Sequence, residues 1–250
     1  MFKFFRTIRQ KLIQDNRVTK YFMYFIGEII LVVIGILIAL QINNWNLHRI
    51  DRVAEKKLLQ NILQDLQMDT EVFDINIQNN SFHIAVLDTM LHEVCFNPEG
   101  YPLMDFIRHN ALYSYYGSFL ATKGSYVESL SSGRLSLILS DSLRRSILDY
   151  YEVQLQSLGA DMITNRDMDN LRAEWNDIVS HSMEYAMVLD VQTNFPQWNI
   201  PEICSSPRYR KLLTQKLGLV RVQIEHWERV KAINLALIQF IEQELAATER

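Results

Sequence analysis

The chain has 250 residues, a formal net charge of −4, a mean hydropathy of −0.06 and 48% hydrophobic residues. This apolar content excludes a disordered chain, two cysteines exclude a disulfide-dense scaffold, and the charge argues against a nucleic-acid partner. Eight glycines and five prolines favour long helices over a turn-rich β architecture.

The charge is distributed unevenly along the chain. Residues 1–20 carry a net charge of +5, residues 21–42 carry only the charge of Glu28, and residues 43–250 carry a net charge of −8. The whole-chain averages therefore combine a basic head, an apolar run and an acidic body, which we treat as three regions.

The basic head, residues 1–20, predicts a cytoplasmic or interfacial segment. Apolar side chains recur on one helical face within residues 2–14, which indicates a basic amphipathic helix on the anionic inner leaflet. The basic side chains expected to contact the lipid are Lys3, Arg6, Arg9 and Lys11. The alternative is a charged tail that only sets the topology.

The apolar run, residues 21–42, predicts a transmembrane helix. Its 22 residues would be about 33 Å long as a helix, enough for a bilayer core of roughly 30 Å. Fourteen of them are Leu, Ile, Val or Phe, and together they favour insertion by about 4–8 kcal/mol against a cost of about 3 kcal/mol for one carboxylate. A cleaved signal peptide and a buried core helix are the alternatives, but no small-x-small cleavage site follows the run and all its faces are apolar.

The flanking charges predict the orientation of this helix. Six Lys or Arg residues lie in the 20 residues before the run and four in the 20 after it. The positive-inside rule then places the N-terminus in the cytoplasm. We expect a single-pass protein of the inner cell membrane with residues 43–250 outside the cytoplasm, in the periplasm.

Glu28 is the unusual residue of the run, because carboxylates inside a membrane are costly and rarely face lipid. At about 100° per residue, Gly35 and Ala39 lie about 20° to either side of Glu28. This small-xxx-small step allows two helices to approach closely, so we predict a membrane helix–helix contact at Glu28, Gly35 and Ala39. A protonated or hydrated Glu28 in a monomer is the alternative.

The acidic body predicts an all-α fold in which the transmembrane helix continues into an elongated extracytoplasmic bundle of long helices. Neither Gly nor Pro occurs from Ile36 until the Asn97–Pro102 turn, so the helix should continue well beyond Trp45. Its expected core positions are Leu59, Ile62, Leu63, Leu66, Phe73, Ile77, Ile84, Leu87 and Leu91.

Loops are predicted near residues 96–102, 117–133 and 190–206, separated by further helices. A short helix is expected over residues 103–116, and a two-turn helix with a Ser125–Glu128 capping box and Gly133 at its C-terminal end. A long helix should begin near Ser140 and kink at Gly159. Pro207 suits the first position of a last helix that runs nearly to Arg250.

Chemistry-bearing motifs are scarce. No Walker loop, Gly-x-Ser-x-Gly elbow, His-Glu-x-x-His or Cys-x-x-Cys occurs, so we expect no enzyme, no cofactor and no metal site. Three groups of residues admit a second interpretation. Metal ligands rather than a solvated face could be formed by Glu174, Asp177, His181 and Glu184. An anion or an acidic partner, rather than mere exposure, could explain the cluster of Arg208, Arg210 and Lys211. A pocket lining rather than core aromatics could be formed by Phe119, Tyr126 and residues 113–116.

Cys95 and Cys204 are the two cysteines of the chain, and an extracytoplasmic location would permit a disulfide between them. Such a bridge would close a loop of about 110 residues and be worth about 4–5 kcal/mol in the chain-entropy model. Two buried free thiols are the alternative.

Five segments of the chain resemble those of a known protein family. They are FFRTIRQK at 4–11, GEIILVVIGILIALQINNWN at 27–46, YVESLSSGRL at 126–135, LRRSILDYY at 143–151 and IEQEL at 241–245. Through these segments the chain resembles a family of small bacterial membrane proteins catalogued only as a domain of unknown function. The resemblance implies a single-span protein with a helical outer domain, and it implies no activity, substrate or catalytic residue.

We therefore expect an interaction or scaffold component of the cell envelope, which acts through helix–helix contacts. The expected partners are the lipid bilayer and either further copies of the chain or another membrane protein. The alternative is an extracytoplasmic ligand-sensing module. Because 20 residues before the span are too few for a signalling domain, a sensor would need a partner membrane protein.

Overall fold

The structure is a computed structural model that describes residues 18–113, 117–157, 161–179 and 199–248. The described residues form helices and no strands, which confirms the all-α class. The α-helices are α1 Val18–Thr89, α2 Leu103–Tyr113, α3 Gly124–Ser131, α4 Asp141–Asp149, α5 Leu155–Ser157, α6 Asp161–Val179, α7 Ile200–Ser205 and α8 Pro207–Thr248. Met90–Val94 and Tyr150–Gln154 are π-helical turns, and Arg134–Leu137 is a 3₁₀ turn.

The chain divides into two units, Met1–Lys56 and Lys57–Arg250. In the first unit the structure describes only the beginning of α1, whose side chains from Tyr24 to Ile50 are all exposed. The second unit contains the remainder of α1 and every other described helix.

Helix α1 has 72 residues, because no glycine or proline interrupts it beyond Gly35. The predicted continuation past Trp45 is confirmed. Most of the predicted core positions are also confirmed. Leu59, Ile62, Leu66, Phe73 and Leu87 are buried, and Leu63, Ile77, Ile84 and Leu91 are partly buried.

Beyond Lys57, α1 lies antiparallel to α8. Residue numbers rise along α1 as those of their partners fall along α8: Leu66 contacts Asn234, Asp74 contacts Lys231, and Asn80 contacts Gln223. Beyond this pair, Cys95, which follows the π-helical turn after α1, is bonded to Cys204 of α7. The predicted start of α8 at Pro207 is confirmed.

Two apolar clusters form the core. One cluster surrounds Cys95 and Cys204 and includes Val94, Phe106, Trp175, Tyr209 and Leu213. The other lies toward Lys57 and includes Leu59, Phe73, Ile147, Tyr150 and Trp227.

A layer of buried amides lies on the α1–α8 pair. Asn80 Nδ2 donates to Gln223 Oε1 at 2.9 Å, and Gln223 Nε2 donates to the Gly117 carbonyl at 3.0 Å. Asn76 Nδ2 donates to the Ser118 carbonyl at 3.2 Å. The asparagines that interrupt the apolar stripe of α1 therefore attach the segment after Gly117 to the helix pair.

Local signals predicted several helix ends. Gly133, two residues after the end of α3, has φ +73°. The Ser140 hydroxyl accepts a hydrogen bond from Leu143 N at the start of α4. Both residues lie where the sequence placed them. Part of the predicted 190–206 loop is instead α7, which Asn199 caps through the amide of Glu202.

The predicted capping box of α3 is wrong. This helix begins at Gly124, and the preceding Lys123 makes no side-chain capping bond. The Ser125 amide donates instead to a carboxylate of α1, Asp65 Oδ2, at 3.0 Å. A residue 60 positions away thus replaces the local cap. The predicted kink at Gly159 and the basic residues Lys3, Arg6, Arg9 and Lys11 lie outside the described residues.

Gly117 is the tightest glycine position among the described residues. A Cβ built on Gly117 would lie 2.6 Å from Trp227 Cη2 and 3.4 Å from Asn76 Oδ1. Trp227 is fully buried, so its ring has little room to move. We expect Gly117→Ala to lower the free energy of unfolding by about 1–3 kcal/mol, measured by urea denaturation in detergent with tryptophan fluorescence.

Gly124→Ala is the matched control, because a Cβ at Gly124 meets no atom within 4 Å. This variant should unfold at the same urea concentration as the wild type or a higher one. Equal midpoints for the two variants would contradict the close packing of Trp227 on Gly117.

Candidate functional site

The exposed part of α1 is long and apolar enough to cross a membrane. Its most apolar 18-residue window has a mean hydropathy of 2.7, and none of that window is buried. By length and composition this is the one helix of the described residues that could span a bilayer. A core helix of a soluble protein would be mostly buried, which this segment is not.

Glu28, Gly35 and Ala39 all lie within this segment, and all three are exposed. They share one face of a regular α-helix, as the spacing predicted. A Cβ built on Gly35 has no neighbour within 4 Å, so the backbone is open there to close approach. The arrangement can therefore admit another helix against this face.

Two carboxylates of α1 bind the start of α3 and the segment before it. Asp65 Oδ2 accepts the hydrogen bond from Ser125 N described above. Four residues further along α1, Asp69 Oδ1 accepts a 2.7 Å hydrogen bond from Thr122 N. Asp69 is fully buried, and this burial raises its pKa although the Thr122 and Tyr150 hydrogen bonds act in the opposite direction. These two hydrogen bonds attach residues 122–125 to α1.

Tyr150 and Asn234 continue the hydrogen-bonded cluster into the core. The Tyr150 hydroxyl donates to Asp69 Oδ2 at 3.4 Å and accepts from Asn234 Nδ2 at 3.0 Å. The same amide group also donates to the Leu66 carbonyl at 3.1 Å. Four polar groups of three elements thus join α1, α8 and the turn after α4.

The aromatic residues that suggested either a pocket or a core are packed in the core. Phe119 stacks on Phe73 with ring centroids 4.0 Å apart, and Tyr126 stacks on Tyr151 at 4.3 Å. Tyr113 stacks on Trp175 at 3.9 Å, while residues 114–116 lie outside the described residues. The described aromatics therefore stabilise the bundle.

The structure joins Cys95 to Cys204 in a disulfide, with Cα atoms 4.8 Å apart. Arg210 reinforces this connection from the first turn of α8. Its Nε donates to the Cys204 carbonyl at 2.7 Å, and its Nη2 donates to the Cys95 carbonyl at 2.9 Å. One guanidinium group therefore holds the backbone on both sides of the bridge.

The metal interpretation of the acidic helix is not supported within the described residues. No group of three or more His, Cys, Asp or Glu side chains there could hold a metal ion, and His181 and Glu184 lie outside the described residues. Asp177 accepts a 3.0 Å hydrogen bond from Arg208, and Glu174 lies 3.9 Å from the same side chain. These exposed charges connect α6 to the start of α8.

Lys216 is buried at 2% exposure, although the sequence did not single it out. Its Nζ lies 5.6 Å from the centroid of the Tyr113 ring, a cation–π distance. Burial lowers the pKa of Lys216 to about 8; the Asp169 charge opposes this shift and the Arg172 charge adds to it. Burial and the Lys216 charge also lower the pKa of His83.

Sequence reasoning missed Asp65, Asp69, Lys216 and Asn234. A signal was present for Asp69, Lys216 and Asn234, which are buried at positions where the spacing of apolar residues in their helices predicts a core residue. A polar residue at a core position indicates a buried partner. It does not indicate where in the chain that partner lies.

Residues 28–191 match the model of a family described as "Family of unknown function (DUF6090)". No curated protein and no solved structure gives a significant match.

Removal of the disulfide should destabilise the second unit. In the chain-entropy model, loss of a bridge that closes a loop of this length costs about 4–5 kcal/mol. We expect the double variant Cys95→Ala/Cys204→Ala to show that loss in urea denaturation. Reductant should lower the urea midpoint of the wild type and leave that of the double variant unchanged. A wild type insensitive to reductant would contradict a contribution of the bridge.

Lys216 should give stability a distinct dependence on pH. Between a pKa of about 8 in the folded chain and 10.5 in the unfolded chain, the unfolded state binds a proton that the folded state does not. Stability therefore rises with pH in this range, by about 2 kcal/mol from pH 8 to 9.5. The variant Lys216→Met should lack this rise, measured as urea midpoints at each pH.

Lys211→Met is the control, because Lys211 is an exposed lysine of the same helix. It should keep the pH dependence of the wild type. The same slope in Lys216→Met as in the wild type would show that Lys216 is not the titrating group.

Proposed function

The chain belongs to the family of unknown function DUF6090, and we propose from its own residues that it is a membrane-anchored protein that acts by binding other proteins. One observation carries the proposal: α1 has a fully exposed apolar segment near its start and a core-forming face beyond Lys57. A hydrocarbon environment covers the exposed apolar segment without any protein contact. The core-forming face beyond Lys57 packs against the other helices of the folded body.

We place the N-terminus in the cytoplasm and the body outside it, in the periplasm of a cell with an inner membrane. The excess of Lys and Arg before the apolar segment supports this orientation through the positive-inside rule. The Cys95–Cys204 disulfide supports it independently, because disulfides persist in oxidising compartments.

We assign the binding role in the membrane to Glu28, Gly35 and Ala39. A carboxyl group in the bilayer is stabilised by a hydrogen bond to a partner, and the two small residues permit the approach that such a bond requires. The role proposed for the chain is therefore that of a scaffold or interaction component rather than an enzyme.

Ligand sensing is less well supported than binding of proteins. A sensor would need a polar pocket between the long helices. The buried amides Asn76, Asn80 and Gln223 instead bond to one another and to nearby carbonyls, and Asp69 bonds to Thr122 and Tyr150.

The test compares partners of the wild type and of Glu28→Leu after purification from membranes and mass spectrometry. Gln41→Leu is the control, since Gln41 is the other polar residue of the span and lies about 140° from Glu28 around the helix. We expect the chain in the membrane fraction for all three proteins. Glu28→Leu should lose partners that the wild type and Gln41→Leu retain.

A chain in the soluble fraction would overturn the anchoring. An identical partner list for Glu28→Leu and Gln41→Leu, or no partner at all, would overturn the role of Glu28.

A further inference from the structure

Helix α1 carries a second series of exposed apolar residues within the second unit. Met68, Ile75 and Phe82 are 43%, 58% and 58% exposed. They are spaced seven residues apart and lie within about 40° of one another around the helix. We call these three residues the heptad stripe.

The heptad stripe lies opposite the face that α1 buries. Leu66, Phe73 and Asn80 also recur at intervals of seven residues, and all three are buried. Single exposed apolar residues are ordinary. Three large ones at strict heptad spacing are the pattern that fits a second helix lying alongside, because a seven-residue repeat keeps the same side facing a neighbour.

We propose that the heptad stripe pairs with the heptad stripe of a second copy of this chain, parallel and in register. The proposal rests on the anchoring proposed above. Two copies inserted in one membrane through the same helix have the same orientation, and each presents the same residue at the same distance along α1. Met68, Ile75 and Phe82 then each meet their own counterpart.

The polar residues beside the stripe suit this partner. Gln64 and Gln78 are exposed on the same face, and a glutamine amide can both donate to and accept from an identical amide. Asp74, at the edge of the face, already pairs with Lys231 in its own chain. Glu71 is the one side chain of the face that opposes a like charge in the pair, which should weaken the dimer without preventing it.

The test is oxidative cross-linking of single-cysteine variants of the full chain in membranes, read on non-reducing gels. The native Cys95 and Cys204 are bonded to each other and buried, so they do not compete. We expect Met68→Cys, Ile75→Cys and Phe82→Cys each to shift from the 29.4 kDa monomer to twice that mass. Val222→Cys is the control, because Val222 is a β-branched residue with 59% exposure on another long helix, α8.

The outcomes separate pairing from anchoring. A chain found in the soluble fraction refutes the anchoring, whereas a membrane-bound chain with no more dimer than Val222→Cys refutes only the pairing. Cross-linking of Ile75→Cys alone also refutes it, because this is the result of two antiparallel or crossing helices. Cross-links to a protein of another mass would assign the stripe to a different partner.

Glu71→Gln tests the register by a different readout. When it is combined with Ile75→Cys, loss of the like-charge contact should raise the cross-linked fraction above that of Ile75→Cys alone. An unchanged or lower fraction would contradict a parallel pair in which the two Glu71 side chains face each other.

Discussion

The antiparallel contact between α1 and α8 is the interaction on which the rest of the body depends. These two helices supply nine of the sixteen buried residues of the cluster toward Lys57 and seven of the seventeen around the disulfide. The disulfide joins Cys95, which follows the π-helical turn after α1, to Cys204 of α7. The shorter elements between them contribute the remaining core residues, which include Phe106, Ile147 and Trp175. They fold onto a surface that the helix pair provides.

Buried polar side chains give this contact its specificity. Apolar residues at regular spacing would tolerate a shift of one helix along the other, because every turn resembles the next. The Asn80–Gln223 bond and the contacts of Asn234 to Leu66 and Tyr150 exist in one register only. We regard these amides, with Asp69, as the features that select a single arrangement from several apolar ones.

Local features of this fold could be predicted from sequence, and distant ones could not. The length of α1, Gly133 after α3, Ser140 before α4 and Pro207 at the start of α8 all depend on a few neighbouring residues. The cap of α3 does not depend on neighbouring residues, because the Ser125 amide donates to a carboxylate 60 residues earlier in the chain. Lys216 was missed for the same reason, since Tyr113 and His83 reach it from other helices. Glu28, Gly35 and Ala39 could be placed on one face because all three share one helix.

The separation of α1 and α8 along the chain also affects the order of events during synthesis. About 120 residues lie between Thr89 and Pro207, which at about 5–20 residues per second takes roughly 6–24 s to produce. During that interval the core face of α1, with Leu59, Ile62 and Leu66, has no α8 to cover it. An apolar helix face that is made early and covered late is the kind of transiently exposed surface that aggregates and on which chaperones act. The body therefore has an aggregation-prone period that ends only when α8 is complete.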